Sequence, residues 1–118
     1  MATASSLTGG GRKNAYDNIA ASTTDSSLVA AVATKKIRVL AVVINQGDTT
    51  PSSVTFNSKP GGAGTSVYAV LKAAANGGFV LNENPDGWFE TNVGEGLSVT
   101  TGAGSNTTVA VIFTLVAP

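Results

Sequence analysis

Four carboxylates, Glu83, Asp86, Glu90 and Glu95, cluster around the aromatic pair Trp88-Phe89. Two carboxylates beside an aromatic platform are what a glycosidase uses, one as acid and the other as nucleophile or base. Acidic residues next to turns are ordinarily solvated, however, and keep edge strands from pairing with foreign chains. That second reading is adopted, so no catalytic residue is assigned and the protein is expected not to be an enzyme. A calcium site built from the same oxygens lacks the Asp-x-Asp-x-Asp-Gly spacing, and no metal ligand or cofactor is expected. The glycine-rich stretches 60–64 and 102–104 match neither phosphate-binding pattern and read as strand connections. Trp88 with Tyr68 could stack on sugars, but both fit better as core or interface aromatics. Asn106-Thr107-Thr108 fits a glycosylation acceptor; with no secretory leader in view the match is taken as accidental.

Composition removes most other chemistry. The chain has 118 residues with no histidine and no cysteine, 7 basic and 7 acidic side chains, and a formal net charge of zero. Without thiols or imidazoles there is no disulfide framework, no Ser-His-Asp triad and no ligand for zinc or haem. Only 12% of residues are charged, against roughly 25% in average soluble domains. Such a surface suits association. The small basic groups Arg12-Lys13 and Lys35-Lys36-Arg38 make no stripe for phosphates, so no nucleic-acid partner is expected. The apolar stretches 39–44 and 109–117 fall short of the roughly 20 residues of a membrane helix. The start, Ala, Thr, Ser and Gly around a lone Leu7, lacks the basic and apolar blocks of a signal. The expectation is a chain with no membrane partner that stays where it is made.

Residues 1–27 are rich in Ser, Thr, Ala, Asn and Gly, with isolated Leu7, Tyr16 and Ile19. They read as a flexible N-terminal arm, with one or two helical turns possible over 14–21. From residue 28 to 118 the pattern is one β-domain. Strands are expected at 28–33, 36–45, 53–57, 66–72, 78–81, 87–91, 96–100 and 107–116, rich in β-branched and aromatic residues and separated by turn chemistry. Asn84-Pro85-Asp86-Gly87 is the best-specified turn and should join two antiparallel strands. About eight short strands without helices predict an all-β, single-domain, jelly-roll-like antiparallel β-sandwich with an extended arm.

Two strands are apolar on both faces. Strict alternation over 36–45 puts Ile37, Val39, Ala41 and Val43 on one face and Arg38, Leu40, Val42 and Ile44 on the other; over 107–116, Ala110 and Ile112 oppose Val109, Val111 and Phe113. A strand with one wet face should alternate apolar with polar, so something other than water covers the second faces. The cover is the N-terminal segment of the same chain, a ligand or another subunit; another subunit is favoured, with Val42, Ile44, Ala110 and Ile112 as interface residues. Arg12, Lys13, Tyr16 and Ile19 lie on the arm, which is expected to order against a neighbouring subunit with Tyr16 and Ile19 as anchors.

The order of turn motifs carries a resemblance. Lys59-Pro60-Gly61-Gly62-Ala63-Gly64 within 53–65, Asn76-Gly77-Gly78 within 75–81, Asn84-Pro85-Asp86-Gly87-Trp88-Phe89-Glu90-Thr91, Gly94-Glu95-Gly96-Leu97 and Thr100-Thr101-Gly102-Ala103-Gly104-Ser105 resemble the small β-rich proteins of tailed-bacteriophage structural modules. The similarity spans about 36–116 and excludes the arm. It implies a virion structural protein, a capsid decoration or cement protein that forms a homo-oligomer, with a trimer favoured. Such a protein is made in the host cytoplasm and binds the major capsid protein on the capsid surface, and the resemblance implies that the arm residues Arg12, Lys13, Tyr16 and Ile19 contact the capsid or a neighbouring subunit. The alternative is a tail, fibre or head-spike component that binds a host glycan or a fibre protein.

Overall fold

A computed structural model describes residues 3–6, 11–104 and 106–118. The described residues form strands and no helix: β1 (Thr3–Ser6), β2 (Lys13–Ile19), β3 (Ser26–Val29), β4 (Lys36–Asn45), β5 (Ser52–Lys59), β6 (Thr65–Ser66), β7 (Leu71–Ala73), β8 (Gly78–Leu81), β9 (Phe89–Glu90), β10 (Gly96–Thr101) and β11 (Thr107–Val116). They pair antiparallel into two sheets. The first runs β1-β2-β11-β4-β8, with β9 also on β4; the second runs β3-β10-β5-β6, with β7 also on β5.

One apolar core is shared by both sheets. Ile37, Val39, Val42 and Ile44 of β4 and Val109, Val111 and Phe113 of β11 join Val54 and Phe56 of β5 and Leu97 and Val99 of β10. The rings of Phe56 and Phe89, from opposite sheets, lie 5.0 Å apart, and Tyr68 stacks on Phe89 at 5.0 Å. Buried polar groups are paired across the same gap. The hydroxyls of Ser52 on β5 and Thr107 on β11 meet at 2.9 Å, which removes the penalty of burying either one alone.

The central strand β4 does not alternate strictly. Ile112 of β11 stands opposite Ala41 while Phe113 stands opposite Val39, so Leu40 is an extra, bulged residue. A bulge shifts every later side chain to the other face. Ile37 and Val39 are therefore buried before it, and Val42 and Ile44 after it, while Ala41 is half-buried and Val43 exposed. This corrects the strict alternation expected over 36–45. The carbonyls of Val39 and Leu40 both accept from the 84–88 turn, from Trp88 N–H at 2.8 Å and Asn84 N–H at 2.9 Å.

That turn has the expected local geometry but a different role. Gly87 N–H donates to the Asn84 carbonyl at 2.8 Å, Asp86 N–H donates to Asn84 Oδ1 at 3.0 Å, and Gly87 has a φ of 85°. It joins no hairpin: β8 pairs with 42–45 and β9 with 38–39, end to end along one edge of β4. Phe89 enters the core, and Trp88 packs half-buried at its margin with its indole N–H donated to the Asn82 carbonyl.

Three further expectations change. Residues 13–19 and 26–29 are strands of the two sheets rather than a flexible arm, and 14–21 holds no helical turn. The reason is core supply: Ala15, Ile19 and Leu28 are buried in the shared core, and an alternating strand delivers Ala15 and Ile19 to one face at a spacing of four. The parts of the expected arm at 1–2 and 7–10 lie outside the described residues. Finally, the strand expected at 66–72 is split into β6 and β7, both paired with β5.

Gly87 carries two constraints, since its positive φ suits glycine and a Cβ there would stand 2.5 Å from Arg38 Cγ. The Gly87→Ala variant should lose about 1–3 kcal/mol of stability, read as a lower urea midpoint with an unchanged slope.

Candidate functional site

The bulge decides which side chains face outward on the six-stranded sheet. Directly opposed residues on antiparallel strands share a face. Tyr16 stands opposite Ala110, Ala110 opposite Val43, and Val43 opposite Val80, forming one row across β2, β11, β4 and β8. With strands about 4.8 Å apart the row is roughly 14 Å long. Tyr16 is 49% exposed, Val43 45% and Val80 57%. One pleat away Asn14, Ile112 and Ala41 form the next row. A shallow apolar groove of about 290 Å³ runs between the two, lined by Ala41, Val43, Ala110, Ile112 and Asn14 among others.

Polar groups bound this patch on both sides. Asn18, Thr108 and Asn45 form the row beyond Tyr16 and Val43, and Thr114, Arg38 and Glu90 form a row at the other end. Apolar centre and polar rim is the anatomy of a protein interface. Charges near the rim are mutually neutralised: Arg12 pairs with Glu83, and Glu90 takes Arg38 at 2.5 Å and Lys36 at 3.8 Å.

The expected interface residues separate on this face. Ala110 and Ile112 lie on it, half-buried, whereas Val42 and Ile44 are in the core at 0% and 1% exposure. Val42 and Ile44 are thereby corrected: Leu40 turned them inward and left Ala41 and Val43 in their place. Among the residues expected on the arm, Tyr16 is exposed at the patch, Ile19 is a core residue, Arg12 is engaged with Glu83, and Lys13 is half-buried at the end of β2 opposite Phe113. Val80 was missed, although its place in the alternation of Phe79, Val80 and Leu81 on a short edge strand was a readable signal.

The outer face of the second sheet has the opposite character. Thr55 stands opposite Thr100 and Asn57 opposite Ser98, with Asp25 at the margin. Asp25 takes hydrogen bonds from Gly64 N–H (3.0 Å), Ser98 Oγ (2.9 Å) and Asn57 Nδ2 (3.0 Å). The Gly64 amide above all holds the Asp25 carboxyl below its ordinary value; partial burial opposes this, and Ser98, Lys59 and Asn57 assist. Polar groups satisfied by one another in this way tie β3, β5, β10 and the 60–64 connection together. They leave little unpaired capacity for a partner.

The carboxylates that suggested acid–base chemistry do not converge. Glu83 faces Arg12, Glu90 faces Arg38 and Lys36, and Glu95 accepts from Ser58 Oγ at 2.6 Å. Asp86 sits exposed in its turn. Among the described residues no three His, Cys, Asp or Glu side chains gather where they could hold a metal ion. No family model matches the chain, and no curated protein is significantly similar to it.

Asp25 links the second sheet to pH. Its folded pKa lies below the unfolded value of about 3.9, so its stabilisation is present above about pH 4 and is lost as pH falls through the lower folded value. Asp25→Asn should therefore be less stable than the parent at neutral pH, with the difference shrinking towards pH 2. Urea titrations at several pH values measure this directly.

Proposed function

We propose that this chain is a non-enzymatic virion structural protein of the phage capsid-decoration type, which self-associates through the outer face of its six-stranded sheet. The observation that carries the reading is the exposed apolar row Tyr16–Ala110–Val43–Val80 with its polar rim. A folded domain rarely leaves such a patch to water unless something covers it. The near absence of net charge removes the repulsion that would keep identical copies apart.

The strand order supports a jelly-roll form of β-sandwich. One sheet runs β2-β11-β4-β8 and the other β3-β10-β5-β6, with β9 and β7 continuing the last strand of each. Each sheet thus interleaves early and late strands, as two nested Greek keys do, an arrangement common in viral capsid and lectin domains. The resemblance of the turn motifs to phage structural proteins points the same way.

The mechanism is one of area and valence. Closed symmetry, with a trimer favoured, buries Ala110, Val43 and Val80 between copies, leaves Tyr16 at the rim of the contact, and presents several identical outer surfaces to the major capsid protein. Modest contacts made together hold far more strongly than each alone. Attachment at the joints of the shell then stabilises the head.

Light scattering on the purified chain should give an oligomer, and Val43→Asp or Ile112→Asp should convert it to monomer; an unchanged oligomer in both variants would overturn the assignment of this face. In purified particles, a copy number comparable to that of the major capsid protein is expected. A handful of copies would point instead to a tail or spike.

A further inference from the structure

Just beyond the apolar row the same sheet face ends in a polar concavity. Asn18, Thr108 and Asn45 stand side by side on β2, β11 and β4, and with Asn106 and Asp48 they line a cavity of about 470 Å³. Small-molecule sites usually fall between about 300 and 1,000 Å³. Its chemistry is selective by what it lacks. No lysine or arginine lines it, so it has no means of attracting an anion. Asp48 is its one carboxylate, and Asp48 Oδ1 already accepts the Thr49 N–H at 2.7 Å, which leaves a poor cage for a cation.

What remains is amide and hydroxyl. Each asparagine offers a carbonyl acceptor and two N–H donors, and threonine offers both functions in one group. The side chains of Asn18, Asn45, Asn106 and Thr108 hold no hydrogen bond among the described residues. Groups that donate and accept side by side match the hydroxyls of a sugar ring, which do the same. Tyr16 lies two residues from Asn18 on the same face of β2, about 7 Å along the strand, and is 49% exposed, so an aromatic side chain stands beside the concavity. Such a ring suits the apolar C–H face of a sugar, and its hydroxyl stays wet.

We propose that this concavity binds a neutral saccharide, with Asn18, Asn45, Asn106 and Thr108 meeting its hydroxyls and Tyr16 meeting its apolar face. The site is open, so water competes and each contact is weak; display of several copies raises the avidity. Binding of this kind does not depend on the apolar row joining copies, and it needs no help from the capsid.

The test is an array of immobilised neutral oligosaccharides, with sialylated and sulfated ones alongside, probed with the full chain. The strongest neutral binder is then titrated by saturation-transfer NMR. Asn18→Ala and Asn45→Ala should each weaken binding at least tenfold and Tyr16→Ala should weaken it as well, while Thr55→Ala on the opposite sheet should leave it unchanged. Urea midpoints confirm that each variant is folded. Absence of any neutral binder, binding confined to the charged glycans, or binding that survives both asparagine substitutions would overturn the proposal. Light scattering on the same samples keeps the two readings apart, because a monomer that still binds sugar refutes self-association alone.

Discussion

A single inserted residue in the central strand governs the rest of this structure. Leu40 has no partner of its own on β11, and from that point the faces of β4 exchange. Val42 and Ile44 enter the core, and Ala41 and Val43 go to the outer face. Because β4 lies between β11 and the β8/β9 edge, the same bulge divides that edge into two short strands and places the 84–88 turn between them. The turn in turn supplies donors to the consecutive carbonyls of Val39 and Leu40, so that both carbonyls at the irregularity are paired.

The outer surfaces of the two sheets are unlike, and the difference is functional material. On the second sheet, serine, threonine and asparagine side chains bond to one another and to Asp25, and their capacity is spent internally. On the first, the apolar row has no polar atoms to satisfy except the Tyr16 hydroxyl, and Asn18 and Asn45 beyond it are exposed. One face is thus suited to water and the other to partners. The two proposed contacts would adjoin on this face, burial driving the one with protein and hydrogen-bond pairing the one with sugar.

Much of the strand pattern was legible because β-branched residues and turn residues are local signals. Residues 36–45, 78–81 and 107–116 are strands with the bounds their composition suggests, and the Asn84–Gly87 turn was readable from proline and glycine placement alone. The strand at 13–19 was not legible. Of its residues Lys, Asn, Ala, Tyr, Asp, Asn and Ile only Tyr16 and Ile19 favour strands, and the strand exists because β11 offers a ladder and the core accepts Ala15 and Ile19. The polar concavity was equally hidden, since Asn18, Asn45 and Thr108 are far apart in the chain and become neighbours only through register.

By itself the sequence determined the class of structure and the kind of chemistry available. Its alternating β-branched stretches and frequent turn signals prescribe β-strands, and the missing histidine and cysteine remove imidazole and thiol chemistry. Only the tertiary structure decided which side of each strand meets the core. Alternation specifies two faces without saying which is inward, and a bulge exchanges them at no visible cost in composition. That choice moved the outward-facing apolar positions of β4 from Val42 and Ile44 to Ala41 and Val43, and placed Tyr16, Val80 and the amides of the concavity on the same side.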